Sequence, residues 1–216
     1  MTDSETLENY ICAHIDAEHP YLHKLYRDSN LYLVRAHMVS GHLQGCLLRL
    51  LVSMIKPQWI LEIGTYTGYS ALSMAAGLSE GGHILTYEIN DEMEDFTRPR
   101  IEASPWADKV DFRIGDVLCD LPKEFVGGKA HFDLVFMDGN KRQYVEYYEM
   151  ALKYLSPHGY IIADNTLWDG HVIDSDYDND EQTKGIREFN DFVAQDKRVR
   201  KVILPLRDGL TLIQKV

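Results

Sequence analysis

The sequence predicts a single α/β domain built on a mostly parallel sheet. Three observations carry that expectation: short β-rich apolar runs that alternate with helix-spaced stretches, a glycine-rich turn after the first run, and acidic residues that close several later runs. The chain has 216 residues, 45% of them hydrophobic and 26% charged, which suits one soluble globular unit with a full core. Residues 1–56 read as a largely helical layer, residues 57–216 as the core, and residues 166–183 as a long insertion.

The β-rich runs are Trp59–Ile63, His83–Glu88, Val110–Ile114, Phe132–Met137, Tyr160–Ala163, Val199–Leu204 and Leu210–Ile213. Leu43, Leu47, Leu50, Leu51 and Met54 fall at i, i+4, i+7, i+8 and i+11, a helical stripe, and Tyr144, Tyr148, Ala151, Leu152 and Leu155 repeat that spacing. The last two runs are joined by Pro205–Gly209, too short for a parallel crossover, so an antiparallel hairpin is expected.

Composition excludes several classes. Twenty-two basic against 34 acidic residues leave a net charge of −12, which works against extended contact with a nucleic-acid backbone. The longest apolar stretch, Leu43–Ile55, is shorter than the roughly 18 residues of a membrane span. No secretory leader is recognised near the start, so a cytoplasmic location is the default expectation. Cys12, Cys46 and Cys119 show no C-x-x-C spacing and read as reduced, mostly buried thiols. His19 and His23 form an i, i+4 pair, a weak zinc candidate interrupted by Pro20.

The turn after the first strand reads Glu62-Ile63-Gly64-Thr65-Tyr66-Thr67-Gly68-Tyr69-Ser70. It is not the G-x-G-x-x-G of dinucleotide sites, so hydride chemistry loses support. With Glu88 at the next strand end as acceptor for ribose hydroxyls, and Gly115-Asp116-Val117 after the third strand facing an adenine amino group, the set suits an adenosyl sulfonium cofactor, S-adenosylmethionine. Two later strands end in Asp138-Gly139-Asn140-Lys141 and Asp164-Asn165. Either these aspartates cap turns and helices, or two carboxylates and an amide oxygen form a hard oxygen set open to magnesium or another divalent cation. Lys141 is placed to accept a proton from a metal-polarised phenol. Trp168 reads equally as a substrate wall or a lid tryptophan, and the acidic segment 166–183 as a lid or a disordered connection.

These motifs, together with Met38-Val39-Ser40-Gly41, Gln44-Gly45, Tyr144, Leu167-Trp168 and Asp208-Gly209-Leu210-Thr211, resemble the cation-dependent O-methyltransferases, the group of catechol and caffeoyl-CoA O-methyltransferases. The resemblance covers most of the chain. It implies a seven-stranded Rossmann-like methyltransferase fold and a homodimer. It also implies metal ligation by Asp138, Asp164 and Asn165, and Lys141 as general base. Cofactor contacts are implied at Met38, Glu62, Gly64, Thr65, Ser70, Glu88, Asp116, Val117 and Asp138, and substrate contacts at Lys141, Asn165 and Trp168. A small catechol-type acceptor is favoured over 5-hydroxyuridine in tRNA, because segment 166–183 carries no Lys or Arg. An acyl-CoA ester stays open, with Lys24, Arg27 and Arg35 as candidates to meet its phosphates.

Overall fold

The computed structural model describes residues 3–125 and 131–216. Three helices come first, α1 (Asp3–His14), α2 (Pro20–Tyr32) and α3 (Gly41–Ile55). Then follow β1 (Trp59–Ile63), α4 (Tyr69–Ala75), β2 (His83–Glu88), α5 (Glu94–Glu102), β3 (Val110–Ile114), α6 (Val117–Glu124), β4 (Phe132–Met137), α7 (Tyr144–Tyr154), β5 (Leu155–Asp164), α8 (Glu181–Gln195), β6 (Val199–Leu204) and β7 (Leu210–Lys215). The seven strands form one sheet in the order β3-β2-β1-β4-β5-β7-β6. All neighbouring pairs from β3 to β5 are parallel, and β7 runs antiparallel between β5 and β6. The predicted hairpin is therefore present, with its second strand inserted inside the edge.

Alternation along each strand divides the core. On one face Leu61, Val135 and Met137 pack against Leu121 of α6, Tyr148 of α7 and Phe189 of α8. On the other, Ile60, Leu134 and Phe136 meet Leu48 and Val52 of α3 and Met74 of α4. Leu22 and Leu25 of α2 cover Tyr69 and Leu72 of α4 from outside. Thus α3 belongs to the sheet's cover, not to an added layer.

The predicted stripe of α3 is split: Leu47 and Leu51 pack half-buried against the core, Leu50 and Met54 are exposed, and the fully buried positions are Gln44, Gly45, Leu48 and Val52. This helix is apolar nearly all round, so hydropathy alone does not choose its face. Close approach does, because a Cβ on Gly45 would meet Ser73 Oγ at 2.9 Å on α4. The stripe of α7 is buried as expected. The stretch Ala36–Ile55 has the length and apolarity of a membrane span, but extended Val39 separates the 3₁₀ turn at Ala36–Met38 from the 15-residue α3. Its Leu48 and Val52 are wholly buried against the sheet. Cys12 and Cys46 are half-buried and Cys119 is exposed, so the thiols lie nearer the surface than expected.

Segment 166–183 is ordered. It forms 3₁₀ turns at Trp168–Ile173 and Ser175–Tyr177 before α8 starts at Glu181. Arg187 of α8 clamps it, donating to the carbonyls of His171, Val172 and Asp174 and to Asp178 Oδ1. The rings of His171 and Tyr177 stack at 3.5 Å.

Helix α8 lies against the turn that follows β4. A Cβ on Gly185 would stand 2.5 Å from the backbone oxygen of Lys141 and 2.8 Å from Cα of Arg142. Glycine to alanine inside a helix normally gains up to about 1 kcal/mol. Here Gly185→Ala is expected to destabilise by about 1–3 kcal/mol through overpacking against backbone, measured as a lowered urea midpoint.

Candidate active site

A cleft of about 1060 Å³ opens at the carboxyl ends of β1, β2, β4 and β5. That is where a doubly wound sheet places its ligands. Gly64, at φ +95°, makes it possible: a Cβ there would be driven into the carbonyl of Asp138 on the neighbouring strand end. Asp138 N in turn donates to Ile63 O at 2.8 Å.

On one side of the cleft stand Glu88, Asp116 and Val117. Glu88 is 8% exposed and accepts from Tyr66 N at 2.7 Å and Asn90 N at 2.9 Å. These two bonds fix the carboxylate and use part of its capacity to accept. Asp116 caps α6, accepting from Leu118 N at 2.9 Å. Met38 lines the same cleft and is half-exposed.

Glu62, Thr65 and Ser70 lie behind the glycine loop and do not line the cleft. Glu62 is fully buried and accepts from Ser70 Oγ at 2.6 Å and Thr86 Oγ1 at 2.5 Å, while Thr65 Oγ1 bonds Thr86 Oγ1 at 2.6 Å. Their placement makes them the frame of the loop. Burial dominates at Glu62 and pushes its pKa up to about 8, against the two hydroxyl bonds that favour the charged form.

Across the cleft the ends of β4 and β5 bring Asp138, Lys141, Asp164, Asn165 and Trp168 together. Lys141 is buried; its Nζ donates to Asp138 Oδ1 and to the Tyr144 hydroxyl, both at 2.7 Å. Tyr144 donates to the backbone oxygen of Asp164 at 2.9 Å. Trp168 sets its ring centre 5.8 Å from Lys141 Nζ, forming a wall beside the amine. Asn165 and Trp168 both take left-handed backbone, at φ +56° and +48°, which aims them from the strand end into the cleft.

Asp164 is 4% exposed, and burial with the nearby Asp138 charge pushes its pKa above the usual carboxylate range. Two carboxylates so placed are stabilised by a cation. Among the described residues no three His, Cys, Asp or Glu side chains gather as a metal cluster, so a metal here would rely on the Asn165 amide beside the two carboxylates. That all-oxygen set fits magnesium-like ions and leaves room for water or substrate. The histidine pair does not form a rival: His19 caps α2 by accepting from Tyr21 N, and His23 pairs with Glu18.

The structure adds residues that motif reading did not assign to the cleft. Arg207 and Asp208, on the turn between β6 and β7, line it, as do Arg142 and Gln182. Asn165 Nδ2 donates to Asp208 Oδ2 at 3.4 Å. Of the three basic candidates in the N-terminal region, Arg35 lines the cleft, whereas Lys24 is paired with Asp28 at 2.9 Å and neither it nor Arg27 is part of the lining.

The comparisons with known proteins agree with this arrangement. A family model described as O-methyltransferase matches residues 12–216, and the chain belongs to that family. Caffeoyl-CoA O-methyltransferase 1 of Zea mays is 40% identical over 188 residues, covering 83% of this chain and 72% of its own. Catechol O-methyltransferase domain-containing protein 1 of Mus musculus is 32% identical over 215 residues, covering 99% and 81%. Among solved structures, the O-methyltransferase from Bacillus cereus in complex with SAH superposes with a TM-score of 0.89 at 31% identity, covering 98% of this chain and 97% of that one.

Glu62 generates a testable pH dependence. Its folded pKa, about 8, lies above the ordinary 4.5, so the folded state holds a proton that the unfolded state releases. Stability is therefore fully present below pH 4.5 and falls as pH rises toward 8, by up to roughly 1.4 kcal/mol per pH unit from this group. Glu62→Gln, which keeps the neutral shape, is expected to match the parent near pH 5 and exceed it at pH 8.5 in urea unfolding.

Proposed function

We propose that the protein transfers the methyl group of S-adenosylmethionine to one oxygen of a vicinal dihydroxy aromatic compound, with magnesium or a similar divalent cation held by Asp138, Asp164 and Asn165. The observation that carries the reading is the meeting, in one cleft, of a nucleoside side (Glu88, Asp116) and an acceptor side (Asp138, Asp164, Asn165, Lys141). The Bacillus cereus relative solved with SAH supports the choice of methyl donor.

When bound, the cation supplies Lewis-acid polarisation of the acceptor oxygen and makes a phenol easier to ionise. The chain's own groups do the rest. Glu88 accepts the ribose hydroxyls, Asp116 faces the adenine amino group, and Gly64 permits close backbone approach to the donor. Lys141 holds Nζ at the cleft floor; once its ammonium has released a proton, the neutral amine receives the phenolic proton and is an ammonium again. Trp168 covers the acceptor ring. Orientation of the acceptor oxygen against the donor methyl provides much of the rate.

The acidic residues of segment 166–183 and of the cleft favour a small acceptor over tRNA. A second reading, an acyl-CoA ester, is favoured by two exposed arginines, Arg35 and Arg142, in the cleft lining and by the name of the maize relative. Family resemblance extends the proposal to a cytoplasmic homodimer, which light scattering and cell fractionation test.

S-adenosylhomocysteine production is measured with caffeate, caffeoyl-CoA and a 5-hydroxyuridine-containing tRNA, with magnesium and with EDTA. Turnover on caffeate that EDTA abolishes is the expected result; methylation of the tRNA alone would overturn the acceptor assignment. Lys141→Ala is expected to lose about 100-fold or more in kcat while binding S-adenosylhomocysteine as the parent does. Asp138→Ala loses turnover and metal together, read by metal titration.

A further inference from the structure

Gln44 is 2% exposed and sits on the buried face of α3 beside Leu48 and Val52. An amide in such a place costs free energy unless its polar atoms are satisfied, and an aliphatic side chain would suit the face. Its partners explain it. Gln44 Nε2 donates to Asp164 Oδ2 at 2.5 Å, and its Oε1 accepts from Arg207 Nη1 at 3.4 Å. Arg207 reaches α3 from the far hairpin, on backbone at φ +49°, and the same nitrogen donates to the carbonyls of Val39 and Ser40. The other carboxylate oxygen, Asp164 Oδ1, accepts from Asn165 N at 2.7 Å.

We propose that Gln44, braced by Arg207, is a positioning residue for the metal site: it fixes the carboxylate plane of Asp164 and so sets how tightly a divalent cation is held. A carboxylate has about four lone-pair sites. Gln44 and Asn165 N each occupy one, on different oxygens, and the others are left for a cation in a fixed orientation. Without Gln44 the Oδ2 side of the carboxylate loses its donor, and the group is held by Asn165 N alone and free to rotate. Residues that orient a ligand in this manner typically change metal affinity about 10–100-fold. The inference rests on the metal reading proposed above.

The test is Mn²⁺ binding, followed by loss of the free-ion paramagnetic resonance signal, with no donor or acceptor present. S-adenosylhomocysteine affinity without metal and the thermal midpoint are measured on the same samples. Gln44→Met, close in shape but unable to donate, is expected to weaken Mn²⁺ about 10-fold or more and leave S-adenosylhomocysteine affinity within about twofold. Arg207→Met, on an exposed turn, is expected to weaken Mn²⁺ several-fold, and it decides the matter if Gln44→Met does not fold. Parent-like Mn²⁺ affinity in folded variants overturns this inference alone. Equal losses of Mn²⁺ and S-adenosylhomocysteine affinity overturn it too, since a general structural role moves both. A parent protein that binds no Mn²⁺ overturns both this inference and the metal reading.

Discussion

A lysine ammonium buried at the end of β4 holds the cleft together. Removing such a charge from water costs several kcal/mol unless it is paired and hydrogen-bonded. Lys141 meets both conditions through Asp138 and the Tyr144 hydroxyl, and Tyr144 carries the connection to the backbone of Asp164. Two strand ends and one helix start are therefore locked by a single charged group. The close fits around it follow: Gly64 has to be bare because Asp138 is held where it is, and Gly185 has to be bare because the backbone of Lys141 is.

Two buried acids, on β1 and β5 with β4 between them, show how surroundings assign different work to the same chemistry. Glu62 is enclosed by two hydroxyls of the loop and the neighbouring strand, whose bonds are outweighed by burial. It behaves as a structural hydrogen-bonding group. Asp164 faces the cleft, is near a second carboxylate, and accepts from an amide side chain and a backbone N–H. Donors of that kind favour the ionised form, while burial opposes it, and the balance is settled by positive charge. The Asp164 carboxylate thus answers to the charges of the cleft, Asp138 and Lys141 among them, in contrast to the loop frame behind it.

The alternation of strands with helices, the hairpin and the meeting of Asp138, Asp164 and Asn165 were legible in the sequence because each depends on local pattern: short apolar runs, a short connection, and acidic strand ends that a parallel sheet delivers to one edge. What local pattern did not encode was reach. Gln44 and Arg207 are 163 residues apart in the chain and meet through side chains, so no spacing announces them. The buried face of α3 was assigned only in part for a related reason: leucines surround that helix, and the centre of the face is chosen by Gly45 against α4 and by Gln44 against Asp164. Glu62 and Ser70 share the loop motif with Gly64, yet only the glycine borders the cleft; a motif names a neighbourhood and not the direction of each side chain. Segment 166–183 looked undecided because its charges are of one sign, and the basic partner that orders it, Arg187, lies beyond it on α8.

The antiparallel strand β7 has a consequence for biosynthesis. Strand β6, parallel to β5, delivers the chain to the ligand edge, and the tight turn into antiparallel β7 keeps Arg207 and Asp208 there. The side of the cleft with Glu88 and Asp116 is encoded by residues up to Val117, but the side with Asp164 and Asn165 gains its last wall only when the hairpin has paired with β5. A growing chain therefore holds the residues of the first side long before those that complete the second.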